Sequence, residues 1–93
     1  MSSADNLFTD NVAERRFERV EQDQIVFADY RRQEGRLVIL YVEAPTALRG
    51  TGAAGRLMQD IAAVARRDDL PIEPRCGYAA AWLRRHPGAA EVI

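Results

Sequence analysis

The sequence predicts a mixed α+β domain with its elements in the order β-β-β-α-β-α. Two apolar, β-branched segments, Ile25 to Arg31 and Arg36 to Val42, flank the tight turn Gln33-Glu34-Gly35. A later segment, Ala54 to Ala65, repeats apolar residues at three- and four-residue spacing. Between strand and helix lies a glycine loop, Arg49-Gly50-Thr51-Gly52-Ala53-Ala54-Gly55.

Residues 1 to about 12 are polar and aperiodic and are expected to form a flexible arm, leaving 13–93 as one domain. Ala13 to Val20 carries Phe17 and Val20 among charges and reads as an edge strand. Gln22-Asp23-Gln24 is a turn, and Ile25 to Arg31 the second strand. The uninterrupted run Leu37-Val38-Ile39-Leu40-Tyr41-Val42 suggests a central third strand covered on both faces. These strands form an antiparallel meander, which Pro45 ends. In the helix, Ala54, Leu57, Met58, Ile61, Ala62 and Ala65 make one buried stripe, and Arg66 and Arg67 oppose the dipole in the last turn. Pro71 to Arg75 is a short strand. A strand-helix-strand unit of this length implies a parallel pair with a right-handed crossover. Gly77 or Tyr78 opens a second helix that runs to about Arg85 and stops before Pro87 and Gly88.

Composition removes several function classes. A net charge of −1 lacks the basic excess of a nucleic-acid binder. No apolar stretch reaches membrane-spanning length, and Met1 to Asp10 lacks the regions of a secretory signal. The single cysteine fits a reducing cytoplasm. All thirteen basic residues are arginine, so bidentate phosphate recognition is available and lysine chemistry is not.

The loop carries the chemistry. Its glycines allow several N–H groups to turn toward one point, and the next helix adds unpaired first-turn amides and a positive dipole end. That combination suits phosphate. As Gly50-x-Gly52-x-x-Gly55 it matches a dinucleotide fingerprint, and Glu73 lies near the distance of a ribose ligand. Against this, seven residues including Pro45 separate Val42 from Gly50, and the upstream strands read as antiparallel. A Walker A loop is excluded, because no Gly-Lys-Ser/Thr occurs. A plain helix cap would need one glycine; three within six residues, after an arginine, cost chain entropy and suggest close backbone approach to a ligand.

Read one residue earlier, Arg49-x-x-Gly52-x-Ala54 matches the Arg/Gln-x-x-Gly-x-Gly/Ala signature of the GNAT acetyltransferases. Glu43-Ala44-Pro45, Leu48-Arg49-Gly50-x-Gly52, Pro74-Arg75-Cys76 and Trp82-x-x-x-His86-Pro87 follow in the order of that superfamily's short, single-domain branch, over roughly residues 13–92. The chain resembles a minimal N-acetyltransferase of this kind.

The resemblance implies that acetyl-CoA enters between the third and fourth strands where their ends splay. Its pantetheine arm would pair with backbone at Val42, Glu43 and Ala44. Its pyrophosphate would lie on the amides of Arg49, Gly50, Thr51, Gly52, Ala53, Ala54 and Gly55, with a hydroxyl from Thr51 and charge from Arg49 or Arg56. The thioester would point toward Cys76, either as a nucleophile at a helix N-terminus or as a small residue lining the pocket. Tyr78, Trp82 and His86 share a helix face; Trp82 and His86 read as core, while the Tyr78 phenol can protonate a leaving thiolate. Many members of that branch carry tyrosine where Trp82 stands and a non-ionising aromatic at 78, so this chain departs from the pattern there. Glu43 is either a proton acceptor for the attacking amine or an exposed strand-end charge.

Typical members place helices between the first two strands of the meander. Here only Glu21 to Gln24 separate Val20 from Ile25, so the acceptor side is expected to be open. That suits a protein tail, a polyamine or a small amine, or completion by a second subunit in a homodimer. No metal, nucleic acid or membrane is implied. The expected activity is acetyl transfer from acetyl-CoA to an amine; the alternative is a non-catalytic acyl-CoA-binding or interaction module on the same fold.

Overall fold

The computed structural model describes residues 7–93. Among them the chain forms β1 (Phe8–Asn11), β2 (Arg16–Glu21), β3 (Gln24–Gln33), β4 (Arg36–Glu43), a 3-10 turn (Thr46–Leu48), α1 (Ala53–Arg67), β5 (Ile72–Pro74) and α2 (Gly77–Arg85). The strands form one sheet in sequence order. β1 to β4 are antiparallel, and β5 runs parallel to β4.

The α+β class stands, with one more strand at the front than the expected order. Of the expected arm, residues 1–6 lie outside the described residues, but Phe8–Asn11 pair with Arg16–Arg19. The Phe8 ring stacks on Phe17 at 5.7 Å, and the Tyr30 phenol donates to the Asp10 carboxylate. These partners are distant in sequence, and a four-residue strand with one apolar side chain shows no local alternation.

Two-residue turns close the next hairpins. Gln22 and Asp23 take φ of 51° and 59°, and Glu34 and Gly35 take 54° and 72°. Positive φ at both central residues matches the right-handed twist of the flanking strands. No helix intervenes between Val20 and Ile25, which pair directly and remain 37% and 46% exposed.

The core joins sheet and helices in one cluster. Phe17, Val26, Ala28, Tyr30, Leu37 and Ile39 meet Leu57, Met58, Ile61, Ala62 and Ala65 of α1 and Ala79, Trp82 and Leu83 of α2. Of the stripe expected on α1, Leu57, Met58, Ile61, Ala62 and Ala65 are buried and Ala53 and Val64 join them, while Ala54 is only partly buried at the cavity. At the far end, Ile72 N–H donates to the Glu91 carbonyl at 2.8 Å and Ile93 N–H to the Ile72 carbonyl at 2.9 Å, so the last residues flank β5. No helix among the described residues is long and apolar enough to cross a membrane.

A charge network ties β2 to α1. Arg56 donates to both Glu21 oxygens at 2.7 Å, while Arg19 donates to Glu21 and Asp60, each at 2.7 Å. Arg56 first, then Arg19, pull the Glu21 carboxyl from 4.5 to about 2. Arg67 and then Arg32 lower Asp68 from 3.8 to about 2. A carboxylate with a depressed folded pKa stabilises above its unfolded pKa, and that contribution disappears as pH falls through the folded value. The urea midpoint is therefore expected to fall steadily between about pH 4.5 and about pH 2, and Glu21→Gln to flatten the profile. A wild-type midpoint constant across that window would contradict the assigned pairs.

Candidate active site

The site begins where β4 outruns β5. Leu37 N–H donates to the Pro71 carbonyl at 2.9 Å, and Arg75 N–H to the Ile39 carbonyl at 2.8 Å. Pro74 has no N–H, and the chain then turns into α2. β4 continues to Glu43 without a β5 partner. The β3–β4 register also slips, pairing Tyr30 with Ile39 but Asp29 with Tyr41, so Leu40 is an extra, unpaired residue. Such a bulge bends its strand and strengthens the twist. The end of β4 thereby separates from the start of α2.

A cavity of about 470 Å³ fills this gap. It is lined by Val42, Glu43 and Ala44, by Leu48, Arg49, Gly50 and Gly52, and by the first turn of α1 (Ala53, Ala54, Gly55) with Tyr78. Most of the expected ligand-binding residues are thus brought together. Leu48 and Tyr78 join them as lining residues; Leu48 begins the Leu48-Arg49-Gly50-x-Gly52 motif, but an apolar side chain there gives no sign that it faces a ligand. Thr51, Arg56 and Cys76 are not among the lining residues.

The main chain of the loop leaves several donors without a partner among the described residues. Gly50 and Gly52 take φ of 80° and 88°, a region disfavoured for residues with a Cβ. Arg49 and Thr51 N–H donate back to Thr46 and Leu48 carbonyls, and Ala53 N–H donates to the Thr51 hydroxyl at 3.3 Å. The amides of Gly50, Gly52, Ala54 and Gly55 find no protein acceptor among the described residues. These four donors belong to residues at or just before a helix N-terminus that line the cavity, a setting that favours an anion. Arg49 adds charge. Its side chain is 65% exposed, with Glu43 at 3.7 Å and the Ala44 carbonyl at 3.4 Å.

The other expected groups are placed as follows. The Thr51 hydroxyl donates to the Leu48 carbonyl at 2.6 Å, so it serves the turn. Arg56 is forked onto Glu21. Glu43 accepts from the Tyr41 phenol at 2.5 Å, and this hydrogen bond raises the Tyr41 pKa. Cys76 is half-buried and N-caps α2 through its carbonyl, which accepts from Ala80 N–H at 3.0 Å. Trp82 is buried, and a Cβ on Gly55 would lie 3.4 Å from its Nε1 and 3.7 Å from the Tyr78 hydroxyl. That close crossing brings Tyr78 to the cavity. His86 is exposed and stacks on Trp82 at 4.0 Å. Its Nδ1 lies 2.8 Å from the Trp82 carbonyl, which assigns the ring proton to Nδ1.

Gly52→Ala combines a disfavoured φ with a Cβ 3.0 Å from Arg56 Nη1. The expected loss of stability is ~1–2 kcal/mol, read from urea unfolding. A loss near zero would mean that the loop relaxes freely and is not held in this shape.

The geometry agrees with the comparison of the chain to known families. A family model described as GCN5-related N-acetyl-transferase matches residues 16–92. No curated protein matches the chain. The matched span takes in β2 through the residues beside β5, and so the whole cavity wall. The chain belongs to the GCN5-related N-acetyltransferase family.

Proposed function

We propose that this protein binds acetyl-CoA in the cavity between β4 and α2 and transfers the acetyl group to an amine. The four acceptor-less amides at Gly50, Gly52, Ala54 and Gly55 carry the reading, because main-chain donors at a helix N-terminus suit a phosphate-bearing ligand. Arg49 supplies mobile positive charge beside them. Val42, Glu43 and Ala44, beyond the last β5 pairing, offer the edge along which an extended, amide-bearing arm can lie.

When bound, acetyl-CoA supplies a thioester whose carbonyl carbon an amine can attack, with the thiol as leaving group. Glu43 lines the cavity and takes the proton the amine must lose. The Tyr41 phenol donates to Glu43 and orients its carboxylate. Tyr78, held at the wall by the Gly55 crossing, stands as proton donor to the leaving thiolate. Cys76 lies outside the lining and caps α2, so direct transfer without a covalent enzyme intermediate fits better. The acceptor is a protein tail, a polyamine or a small amine. The exposed Val20 and Ile25 hairpin leaves room on its side for a large one.

Calorimetric titration with acetyl-CoA should show one site per chain, and a thiol-release screen over amine classes should show turnover. Glu43→Gln is expected to lower kcat about 100-fold, while Cys76→Ala keeps full transfer. Absence of any binding would remove the proposal. Binding without thiol release for any amine would leave an acyl-CoA-binding module, and an inactive Cys76→Ala would restore the covalent route.

A further inference from the structure

We infer that Glu21 is a positioning residue for the diphosphate loop: it holds Arg56 against the loop's outer side, so that main-chain amides, and not this guanidinium, form the anion site. The inference rests on the coenzyme A reading above.

Glu21 ends β2, thirty-five positions from Arg56 in sequence. Its Oε2 accepts from Arg56 Nε and its Oε1 from Nη2, both at 2.7 Å, in a two-pronged fork. Glu21 is itself held by Arg19, which also reaches Asp60 on α1 at 2.7 Å. The carboxylate is only 14% exposed. Two cations and two anions therefore form a closed, neutral group that fixes the direction of the Arg56 side chain.

The fork has a second function. Arg56 Nη2 also donates to the Thr51 carbonyl at 3.1 Å. The Thr51 carbonyl and the Gly52 N–H belong to one planar trans peptide, so they point in opposite directions. Drawing the carbonyl toward Arg56 turns the Gly52 N–H the other way. Gly52 lines the cavity, whereas Thr51 and Arg56 do not. A Cβ at Gly52 would meet Arg56 Nη1 at 3.0 Å, which places the guanidinium directly behind that peptide. Glu21 thus sets an amide orientation on the far side of the loop.

This role and a phosphate-ligand role for Arg56 predict opposite signs. If Arg56 bound phosphate in competition with Glu21, Glu21→Gln would release it and tighten coenzyme A binding. As a positioning residue, Glu21→Gln should weaken coenzyme A binding about tenfold, or about 1.4 kcal/mol. Pantetheine lacks the nucleotide diphosphate, and its affinity, followed by ligand-observed NMR, should not change. Arg56→Lys provides a second test that leaves Glu21 in place. An ammonium cannot span Glu21 and Thr51 together, so the same selective loss is expected; as a point charge on the phosphate, lysine would substitute with little loss. Unchanged or tighter coenzyme A binding by Glu21→Gln, or near-wild-type binding by Arg56→Lys, would overturn the inference. Equal losses for coenzyme A and pantetheine would also overturn it, since that marks a general structural effect. Failure of the wild type to bind coenzyme A would instead remove the reading on which it rests.

Discussion

Main-chain N–H groups at Gly50, Gly52, Ala54 and Gly55 have no acceptor among the described residues, and this constraint organises the molecule. A peptide donor left without a partner needs water or a ligand. Here the four residues that carry them line one cavity. Their placement needs two positive-φ residues, at Gly50 and Gly52, and a helix beginning at Ala53. It also needs space in front of them. That space exists because β5 stops at Pro74 while β4 runs on to Glu43.

The cavity opens through strand pairing and stays in shape through charge. The ladder between β4 and β5 ends at a proline that cannot donate, and the extra residue Leu40, a bulge that favours a bend, follows the last paired residue Ile39. Behind the loop, the Arg19, Glu21, Arg56 and Asp60 group ties α1 to β2. The Arg19 and Glu21 side chains are only 16% and 14% exposed, and the forked guanidinium bonds fix direction as well. Arg49 has the contrary character. Its long, open side chain holds one distant carboxylate and a weak carbonyl contact, which suits a residue that adjusts to a charged ligand.

Much of the architecture was legible in local pattern. The glycine loop, the apolar stripe of α1, both hairpin turns and the continuous run of β4 each declare themselves within a dozen residues. The illegible parts are contacts between segments far apart. β1 is held by its ladder with β2 and by Phe17, Tyr30 and Arg32. The final pairing of residues 91–93 with Ile72 rests on two hydrogen bonds from a segment too short to carry a period. Arg56 follows the loop, with Arg49 the other candidate for phosphate charge; its partner on β2 is visible only in the fold.

The sequence alone determined the order from the meander through both helices, the glycine loop at Arg49 to Gly55 and the family it points to. Those depend on side-chain periodicity and on glycine, which act over one or two turns of chain. Tertiary structure decided which groups face the cavity: Tyr78 on its wall, Cys76 as a cap outside the lining, Thr51 turned inward to its own turn and Arg56 held by Glu21. Such choices follow from helix crossing at Gly55 and from hydrogen bonds across the sheet, and no stretch of adjacent residues encodes either.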